Sequence, residues 1–234
     1  MDKKVAVVTG AGGGLGRMFA QALGEDGWSV ALLGRTRESL GETAAGLDDA
    51  LVVVCDIGSA AGVESAFTEI TGHFGRLDLL VNNAGVPGPT GELHTIDPAG
   101  WRRTFDTNIT GTFLCTQQAF AWMAEHGGGR IINNGSIAGH APRAGAAAYA
   151  ASKAAVASLT VSTSLEGRPY GITATELDIG NARTALLGSF TGSEPMFDAV
   201  EAARLLVAVA AMPTGVSVDQ VTVTAAGMPY LGRG

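Results

Sequence analysis

The sequence predicts an α/β fold, a parallel and doubly wound sheet of about seven strands with helices on both faces. Short apolar runs alternate with helix-forming segments along all 234 residues. The mean hydropathy is positive, and the 34 glycines, roughly twice the usual share, indicate apolar strands that end in tight turns. Because no linker, repeat or low-complexity segment divides the chain, we expect one domain over residues 1–234 with a large core.

The strands are predicted from apolar runs that are too short for helices. In chain order they are Lys4–Thr9, Trp28–Leu33, Ala50–Cys55, Leu77–Val81, Arg130–Asn133, Ile172–Leu177 and Gln220–Thr224. In a doubly wound sheet, ligands bind beyond the carboxyl ends of the strands. Functional motifs are therefore expected at these ends.

The helices are predicted between the strands, and two of them carry start signals. Their expected extents are from the first turn to about Asp26, from the second strand to about Gly46, Ser59–Phe74, Pro98–Glu125, Ala146–Leu165 and Asp198–Ala210. Asp97 before Pro98 is typical of an N-cap followed by proline at the first helical position. Asp198 and Glu201 resemble a capping box. The segment Ala146–Leu165 is rich in good helix formers and has no internal proline or glycine.

Charge and cysteine content exclude several classes of protein. The formal net charge of −7 argues against a nucleic-acid or anionic-membrane partner. Cys55 and Cys115 lie in apolar segments without metal or redox spacing, so we predict two core residues and no metal site. No signal peptide is visible, and no apolar run is long enough to span a membrane. We expect a soluble, cytoplasmic protein.

The glycine-rich turn Thr9–Gly16, with the sequence TGAGGGLG, indicates a dinucleotide site. Glycines permit a tight turn and let the backbone approach a pyrophosphate, and the following helix N-terminus presents free N–H groups and a partial positive charge. A glycine run alone is weak evidence, because a flexible turn has the same composition. Its position between the first strand and the first helix makes it strong evidence.

Polar residues at three further places each have more than one interpretation. Asp56, after the third strand, either accepts a hydrogen bond from an adenine amino group or caps a helix. Asn82 and Asn83 are suited to bond the backbone of neighbouring turns and hold the sheet edge open over a cofactor. Asn108 is locally unfavourable within an apolar helix. It is either a satisfied buried amide or a polar link to the region of Lys153.

The leading catalytic candidates are Tyr149 and Lys153 in the sequence YAASK. Residues four apart on a helix lie on one face. A nearby ammonium favours the phenolate, which suits the tyrosine to exchange a proton with an alcohol or ketone oxygen. Ser136, thirteen residues upstream, is expected to reach the same oxygen. Since such Tyr–Lys pairs also occur by chance as solvated side chains, this pair gains its weight from the motifs that precede it.

Together these segments resemble the short-chain dehydrogenase/reductase family, in its short single-domain group, and the resemblance covers essentially the whole chain. The matching motifs are TGAGGGLG at 9–16, CDI at 55–57, NNAG at 82–85, Asn108, GS at 135–136 and YAASK at 149–153. Their order and spacing make the resemblance specific. It implies a Rossmann-type fold and NAD(P)-dependent chemistry on a small molecule.

The resemblance implies a role for each matching residue. Tyr149 is the general acid/base, Lys153 favours its phenolate form and holds the nicotinamide ribose, and Ser136 orients the substrate oxygen. Asn108 supports a proton-relay water. The residues implied to contact the cofactor, in addition to Tyr149 and Lys153, are Gly10, Gly12, Gly13, Gly14, Leu15 and Gly16 at the pyrophosphate, Asp56 and Ile57 at the adenine, Asn83, Ala84 and Gly85 near the ribose, and Ala182 and Thr184 at the carboxamide.

Two positions depart from the pattern of the family. The family usually has Pro-Gly after the sixth strand, and this chain has Ile179-Gly180, which affects the path of the loop that carries Ala182 and Thr184. The strand before Ser136 ends in two asparagines, where the family often has two serines. Neither departure removes a catalytic candidate.

Three functions are compatible with these motifs. The first is an oxidoreductase that transfers a hydride between nicotinamide and a carbonyl or secondary alcohol carbon, either as an NADPH-dependent ketone reductase or as an NAD-dependent alcohol dehydrogenase. The second is a regulatory protein that binds the dinucleotide without turnover, which the fold permits but which needs no Tyr–Lys pair. The third is an epimerase or lyase with a resident cofactor. Relatives of that kind tend to carry an extra substrate domain, for which this chain has no residues.

The end of the second strand predicts the preferred cofactor. In dinucleotide folds an acid at this point binds the ribose 2′-hydroxyl, whereas a nearby arginine accommodates a 2′-phosphate. This chain has Gly34, then Arg35 with Thr36 as a second donor. We predict NADP, with NAD possible. Arginine can also stack on adenine, and positions 12 and 13 lack the second basic residue that many NADP-binding relatives carry.

The substrate pocket is predicted to be mostly apolar, which favours a small or medium neutral carbonyl compound. Its candidate residues are Val86, Pro87, His94, His140, Pro142, Leu186, Leu187 and Phe190. Arg143 and Arg183 could bind a phosphate or carboxylate, although surface arginines usually do not. His140 either bonds a substrate or is a solvated loop histidine. The run 180–196 contains Gly188 and Gly192 with little regular pattern, so we predict a substrate lid there.

Apolar helix surfaces predict an oligomer. The helix over Pro98–Glu125 and the helix of Tyr149 are apolar over much of their surfaces, and one sheet cannot cover every such face. The residues concerned are Phe113, Phe120, Trp122, Met123, Val156, Leu159 and Val161. We expect a homodimer or homotetramer.

Overall fold

The main sheet has seven strands, all paired in parallel, in the order β3-β2-β1-β4-β5-β6-β9. The computed structural model describes residues 3–184 and 194–228. The strands of this sheet are β1 (Val5–Thr9), β2 (Ser29–Gly34), β3 (Ala50–Val54), β4 (Leu79–Asn82), β5 (Gly129–Asn134), β6 (Ile172–Ile179) and β9 (Gln220–Val223). The order reverses between β1 and β4, which creates a crevice at their carboxyl ends. The predicted doubly wound, Rossmann-type α/β sheet is confirmed.

Helices connect the strands. They are α1 (Gly14–Glu25), α2 (Arg37–Ala44), α3 (Ala60–Phe74), α4 (Pro98–Phe105), α5 (Thr112–Glu125), α6 (Ala147–Gly167) and α7 (Ala199–Ala210). Short 3₁₀ turns occur at Leu93–Thr95, Ile137–Gly139 and Arg168–Tyr170, and two short strands, β7 (Ala182–Arg183) and β8 (Phe197–Asp198), pair in parallel beside the main sheet. The helix predicted over Pro98–Glu125 is divided by a π-helical segment at Asp106–Gly111.

The core forms two layers, one on each face of the sheet. In β1, Ala6 and Val8 face a cluster that includes residues of α1 and α7, whereas Val7 faces a cluster that includes residues of α3 and α5. This arrangement follows from the alternation of side chains along a strand, and it requires strands that are apolar on both faces. The central strands β1 and β4 are buried throughout, which holds their carboxyl ends in fixed positions.

Helix caps agree with the sequence prediction at one site and differ at another. Asp97 accepts hydrogen bonds from the backbone N–H groups of Ala99 and Gly100, as predicted for an N-cap. Asp198 accepts a bond from the backbone N–H of Val200, but the carboxylate of Glu201 pairs with Arg204. The predicted capping box is therefore only half formed, because the side chain of Glu201 binds a guanidinium one turn further along the helix.

Both cysteines are free and buried in the core, as predicted. Burial raises the pKa of the Cys55 and Cys115 thiols above the ordinary value, so both remain protonated near neutral pH. Within residues 3–184 and 194–228, every helix falls short of the length and apolar character that crossing a membrane requires.

Candidate active site

A cavity of about 720 Å³ opens at the carboxyl ends of the first six strands. It falls within the range of roughly 300–1,000 Å³ that is usual for ligand pockets. The predicted site residues that line it are Gly10, Gly13, Gly14, Leu15, Arg35, Asp56, Ile57, Asn83, Ala84, Gly85, Ser136, Tyr149, Lys153, Ala182 and Thr184. Four predicted residues do not line it, namely Gly12, Gly16, Thr36 and Asn108. One cavity thus brings together most of the motifs found in the sequence.

The glycines of the first turn divide into two groups. Gly13 and Gly14 line the cavity at the start of α1, and a Cβ on either would meet no heavy atom within 4 Å among the described residues. Gly12 and Gly16 serve packing instead. A Cβ on Gly12 would lie 2.4 Å from Ser39 Oγ, and one on Gly16 would lie 2.2 Å from the carbonyl oxygen of Gly10. Backbone open to the cavity, next to a helix N-terminus, fits the pyrophosphate of a dinucleotide.

The turn is held by Arg17, which the sequence analysis did not single out. One Nη of Arg17 donates to the carbonyl oxygen of Gly12 at 2.8 Å and pairs with Glu42 at 2.7 Å. Its Nε donates to Thr43 Oγ1 at 3.1 Å, and that hydroxyl donates to the carbonyl oxygen of Ala11 at 2.9 Å. The turn is therefore clamped to α2 by side-chain bonds, which positions the open N–H groups in advance of ligand binding.

Thr9 and Asn83 lock the ends of β1 and β4 together. Thr9 Oγ1 accepts hydrogen bonds from the backbone N–H groups of Asn83 and Ala84, both at 3.0 Å. Asn83 Nδ2 donates to the carbonyl oxygen of Thr9 at 3.0 Å. Asn82 instead lies beneath the site and donates to Thr116 and Asn133. Of the two asparagines, Asn83 therefore forms the predicted bond to a neighbouring turn. The side chain of Asn82 is buried and bonds other side chains.

Tyr149 and Lys153 lie one turn apart on α6, and both line the cavity. Lys153 Nζ is 5.7 Å from the centre of the Tyr149 ring and donates to the carbonyl oxygen of Asn134 at the end of β5. Because Lys153 is buried, solvent screens the electrostatic interaction between its ammonium and the phenol only weakly. This arrangement is suited to proton transfer between the phenol and an oxygen in the cavity.

Ser136 lies across from α6 in the loop after β5. It is buried and lines the cavity, and its Oγ accepts a hydrogen bond from the backbone N–H of Ala138 at 3.1 Å. That bond uses a lone pair of the hydroxyl and leaves its proton available to donate. Ser136 is thus suited to orient an oxygen atom in the cavity.

Asn108 lies in the π-helical segment and is 1% exposed. Its Oδ1 accepts from the backbone N–H of Val86 at 2.8 Å, and its Nδ2 donates to the carbonyl oxygen of Val86 at 2.9 Å and to Ser152 Oγ at 3.0 Å. Both of its N–H groups are therefore engaged. The side chain is a buried amide with all of its hydrogen bonds satisfied. One of those bonds goes to Ser152, the residue directly before Lys153, so Asn108 is also a polar link to the region of Lys153.

The end of β2 presents Gly34 and Arg35 to the cavity. Thr36 does not line it and instead occupies the N-cap position of α2, where its side chain caps no backbone N–H. A Cβ on Gly34 would lie 3.2 Å from a methyl group of Leu40, so glycine also serves close packing here. Of the two predicted phosphate ligands, Arg35 is the one that faces the cofactor region.

Asp56 lines the cavity, and its helix-capping interpretation is wrong. Its Oδ1 accepts from the backbone N–H of Gly58 at 3.1 Å in a short turn. The cap of α3 is Ser59, whose side chain accepts from the backbone N–H of Gly62. Asp56 therefore lies at the cavity beyond the end of β3 and not at the start of α3.

The loop after β6 passes the cavity through Ile179, Gly180 and Asn181. The backbone N–H of Gly180 donates to the carbonyl oxygen of Val223 in β9, and a Cβ on Gly180 would lie 2.9 Å from Thr224 Cγ2. The loop is held against β9 without the proline that the family usually has. Of the predicted lid 180–196, residues 185–193 lie outside the described residues.

Arg143 lines the cavity, and its side chain is 34% exposed. It forms an ion pair with Glu194 and lies 3.5 Å from Asn181 Oδ1. Asn181 Nδ2 donates to the same carboxylate of Glu194 at 2.8 Å. These three residues link the loop after Ser136 to both ends of the segment predicted as a lid.

The predicted substrate residues are only partly gathered at the cavity. Val86 and Pro87 line it, whereas His94 is exposed beside Glu92 and neither His140 nor Pro142 lines it. The remaining candidates, Leu186, Leu187 and Phe190, lie outside the described residues. The cavity wall is also formed by residues that the sequence analysis missed, namely Thr90, Ile137, Ala138, Ala141 and Ala146.

His140 is not a solvated loop histidine. Its Nε2 lies 2.9 Å from Asp178 Oδ2 and 3.6 Å from Glu176 Oε1, two carboxylates of β6. Burial, followed by the charge of Asp178, raises the pKa of Glu176 to about 7. Glu176 and Asp178 lie on a buried strand, and His140 lies in a distant loop. Their contact therefore cannot be predicted from the sequence.

Comparisons with known proteins agree with this geometry. The sequence matches the family model for short chain dehydrogenases over residues 4–194. It is 37% identical to cis-4-hydroxycyclohexanecarboxylate dehydrogenase of Sinomonas cyclohexanicum, over 79% of this chain and 76% of that protein. It resembles the structure of 3-ketoacyl-(acyl-carrier-protein) reductase from Brucella melitensis complexed with NADH, with a TM-score of 0.90, 27% identity, and coverage of 95% of this chain and 97% of that one. It also resembles a variant of actinorhodin polyketide ketoreductase with NADPH, with a TM-score of 0.88, 30% identity, and coverage of 96% and 97%.

Proposed function

The chain belongs to the short-chain dehydrogenase family and is an NAD(P)-dependent oxidoreductase, and on that premise we propose that it reduces a neutral ketone of small or medium size with NADPH. The observation that carries the proposal is that Tyr149, Lys153 and Ser136 line one cavity. Gly14 and Arg35 line the same cavity. A cavity used only for binding would not need a phenol beside a buried ammonium.

We propose roles for the chain's own residues in this reaction. When bound in this cavity, the cofactor would supply a hydride for the carbonyl carbon. Ser136 donates a hydrogen bond to the carbonyl oxygen, and Tyr149 delivers a proton to the same atom as it becomes an alcohol. Lys153 favours the phenolate that remains. Asn108 is a positioning residue, since its amide ties Val86 at the cavity wall to Ser152 on α6.

The charges around the cavity support a neutral substrate. The cavity is lined largely by apolar groups, among them the side chains of Val86, Pro87 and Ala138. The guanidinium of Arg143 is already paired with Glu194. A substrate carboxylate would therefore have to displace an existing ion pair before Arg143 could bind it.

A matched pair of substrates tests this proposal. With NADPH, we expect kcat/KM to be roughly tenfold or more higher for cyclohexanone than for 4-oxocyclohexanecarboxylate, because the second would place a charge against an apolar wall. The measurement is the loss of NADPH absorbance at several substrate concentrations. Faster turnover of the carboxylate would contradict the neutral class, and an enzyme inactive on every ketone and alcohol of a broad panel would contradict ketone reduction itself.

We further propose that NADP is preferred over NAD. Arg35 lines the cavity at the end of β2, no acid stands at Gly34, and Glu38 belongs to the first turn of α2. A guanidinium can form a charge-assisted bond with the 2′-phosphate. Such a bond contributes about 1.5–3 kcal/mol, which corresponds to a preference of roughly ten- to a hundredfold.

The cofactor preference is tested by exchanging the residues at the end of β2. We expect the native protein to have the higher kcat/KM with NADPH, and Gly34→Asp combined with Arg35→Ile to reverse the ratio. Arg37→Ile is a suitable control, because Arg37 is an exposed arginine two residues further along the chain that does not line the cavity. A native preference for NADH, or a ratio that the double substitution leaves unchanged, would show that Arg35 does not bind the phosphate.

We propose a homodimer or homotetramer, supported by apolar side chains that the chain itself leaves exposed. The exposed fractions are 45% for Phe113, 59% for Val161 and 52% for Leu165. Met123 and Val156 were predicted to lie on this surface, and they are instead buried in the protein's own core. We expect light scattering to give a mass of two or four chains, and a mass near the 23.7 kDa of one chain would refute the oligomer.

Two proposals concern the chain as a whole. We propose that residues 1–234 act as one domain, since a single seven-stranded sheet organises the described part of the chain.

We also propose a cytoplasmic location. Two free, buried thiols are compatible with a reducing compartment, where disulfides are rare.

A further inference from the structure

A second polar cluster lies beside the active site, on the face of β6 that is turned toward the loop after Ser136. Glu176 and Asp178 are two residues apart on β6, so their side chains project from the same face of the strand. Their side chains are 6% and 0% exposed, and that of His140 is 37% exposed. No metal site was predicted from the spacing of the two cysteines, and His140 is 38 residues from Asp178 in the chain, so no local pattern in the sequence indicates this cluster.

The contacts in this cluster are short. His140 Nε2 lies 2.9 Å from Asp178 Oδ2 and 3.6 Å from Glu176 Oε1. One potential ligand atom from each of the three side chains falls within 4.8 Å of the others. Gln220 Nε2, from β9, lies 2.9 Å from Asp178 Oδ2 and 3.1 Å from His140 Nε2.

Two buried carboxylate oxygens in the cluster lack a hydrogen-bond donor within the described part of the chain. Glu176 Oε1 and Asp178 Oδ1 are both buried and have no hydrogen-bond partner among residues 3–184 and 194–228. Both lie against Gly135, since a Cβ at that residue would be 2.4 Å from Asp178 Oδ1 and 3.0 Å from Glu176 Oε1. Buried carboxylates require a counter-charge, a shared proton or a metal ion. The nearby ammonium of Lys153 donates to the carbonyl oxygen of Asn134.

We propose that His140, Glu176 and Asp178 bind one divalent cation of the Zn²⁺ type. Imidazole and carboxylate ligands bind Zn²⁺ at about 2.0–2.2 Å, and neighbouring ligand atoms are then roughly 3–3.5 Å apart. The distances from His140 Nε2 to Asp178 Oδ2 and to Glu176 Oε1, 2.9 Å and 3.6 Å, lie just below and just above this separation. Water, or the amide oxygen of Gln220 after rotation of its side chain, completes the coordination. One nitrogen ligand from imidazole favours Zn²⁺ over Mg²⁺, which prefers oxygen ligands alone.

The bound cation has a structural role. It joins β6 to the loop that runs from Ser136 to His140, and so it holds the residue proposed to orient the substrate. Asp178 and Glu176 are close to Gly135, the residue directly before that loop. The effect on the protein is therefore on stability and on the position of Ser136, and the cation takes no part in hydride transfer.

Calorimetric titration of Zn²⁺ tests the site. Untagged, full-length protein is treated with a chelator, dialysed, and titrated with ZnCl₂. We expect one equivalent to bind, a higher Tm with ZnCl₂ than without it, and no saturable binding of MgCl₂ over the same concentrations. His140→Ala and Asp178→Asn should each weaken Zn²⁺ binding roughly tenfold or more.

His94→Ala is the matched control, because His94 is an exposed histidine 3.6 Å from a carboxylate of Glu92. We expect its Zn²⁺ affinity to equal that of the native protein. His140→Ala alters a partly exposed loop residue, so it should fold even if Asp178→Asn does not. Absence of saturable Zn²⁺ binding by the native protein would overturn the site and leave a proton shared by the two carboxyls. Equal affinity of the native protein and His140→Ala would overturn it as well.

Discussion

Replacement of Tyr149 by phenylalanine is expected to lower kcat by roughly two to four orders of magnitude. The substitution keeps the ring, which packs on the cavity wall, and removes the hydroxyl that the proposed mechanism uses to transfer the proton. Because Lys153 and the glycine turn are unchanged, the Kd for the cofactor should change little. Stopped-flow or steady-state absorbance gives kcat, and fluorescence titration gives the Kd for the cofactor.

The control is the same chemical change at Tyr170. This residue is 49% exposed and contacts Phe120 edge to face at the end of α6, away from the cavity. We expect Tyr170→Phe to retain native turnover. If Tyr149→Phe also turned over at a near-native rate, Tyr149 could not be the general acid/base, and the proposed reaction would need a different proton donor.

Replacement of Gly16 by alanine is expected to disrupt the cofactor turn and destabilise the fold. Its Cβ would lie 2.2 Å from the carbonyl oxygen of Gly10 and 2.5 Å from Asn83 Nδ2, so the backbone of Gly10 and the side chain of Asn83 would have to move. Overpacking of this kind costs about 1–3 kcal/mol. We expect the free energy of unfolding to fall by that amount and the affinity for the cofactor to fall roughly tenfold, measured by urea unfolding and by cofactor titration.

Gly72→Ala is the matched control for this substitution. Gly72 is exposed within α3, and an added Cβ would meet no heavy atom within 4 Å among the described residues. Since alanine favours a helix interior over glycine by about 0.5–1 kcal/mol, this variant should be more stable than the native protein. If both variants shifted stability in the same direction, the close approach of α1 to Gly10 would not be the cause.

The order of the elements and the identity of the active-site motifs could be predicted from the sequence because they are encoded locally. Apolar runs of four to eight residues specify the strands, and the predicted strand ends differ from the observed ones by two residues or fewer. The turn Thr9–Gly16 and the pair Tyr149–Lys153 each lie within one short segment. Their partners follow from the general rule that carboxyl ends of parallel strands meet at one edge.

The functions of individual glycines and amides were decided only by the tertiary structure. The sequence cannot show that Gly13 faces a cavity whereas Gly16 faces the carbonyl oxygen of Gly10, because the distinction depends on how α1 crosses the end of β1. The same holds for Asn108, whose amide reaches Ser152 only through the π-helical segment. A π-helical turn contains one added residue, which rotates every side chain that follows it. No local pattern in the sequence predicts this turn.

The order of the apolar runs and the motifs that follow them are enough to predict a doubly wound sheet with the residues of a dehydrogenase site. Which distant side chains meet depends on how the chain folds. His140 reaches Asp178, 38 residues away, and Gln220 reaches the same carboxylate from 42 residues away. The physical reason is that parallel strands are joined by long crossovers, so the residues that become neighbours are set by strand register and helix packing, which are properties of the whole sheet.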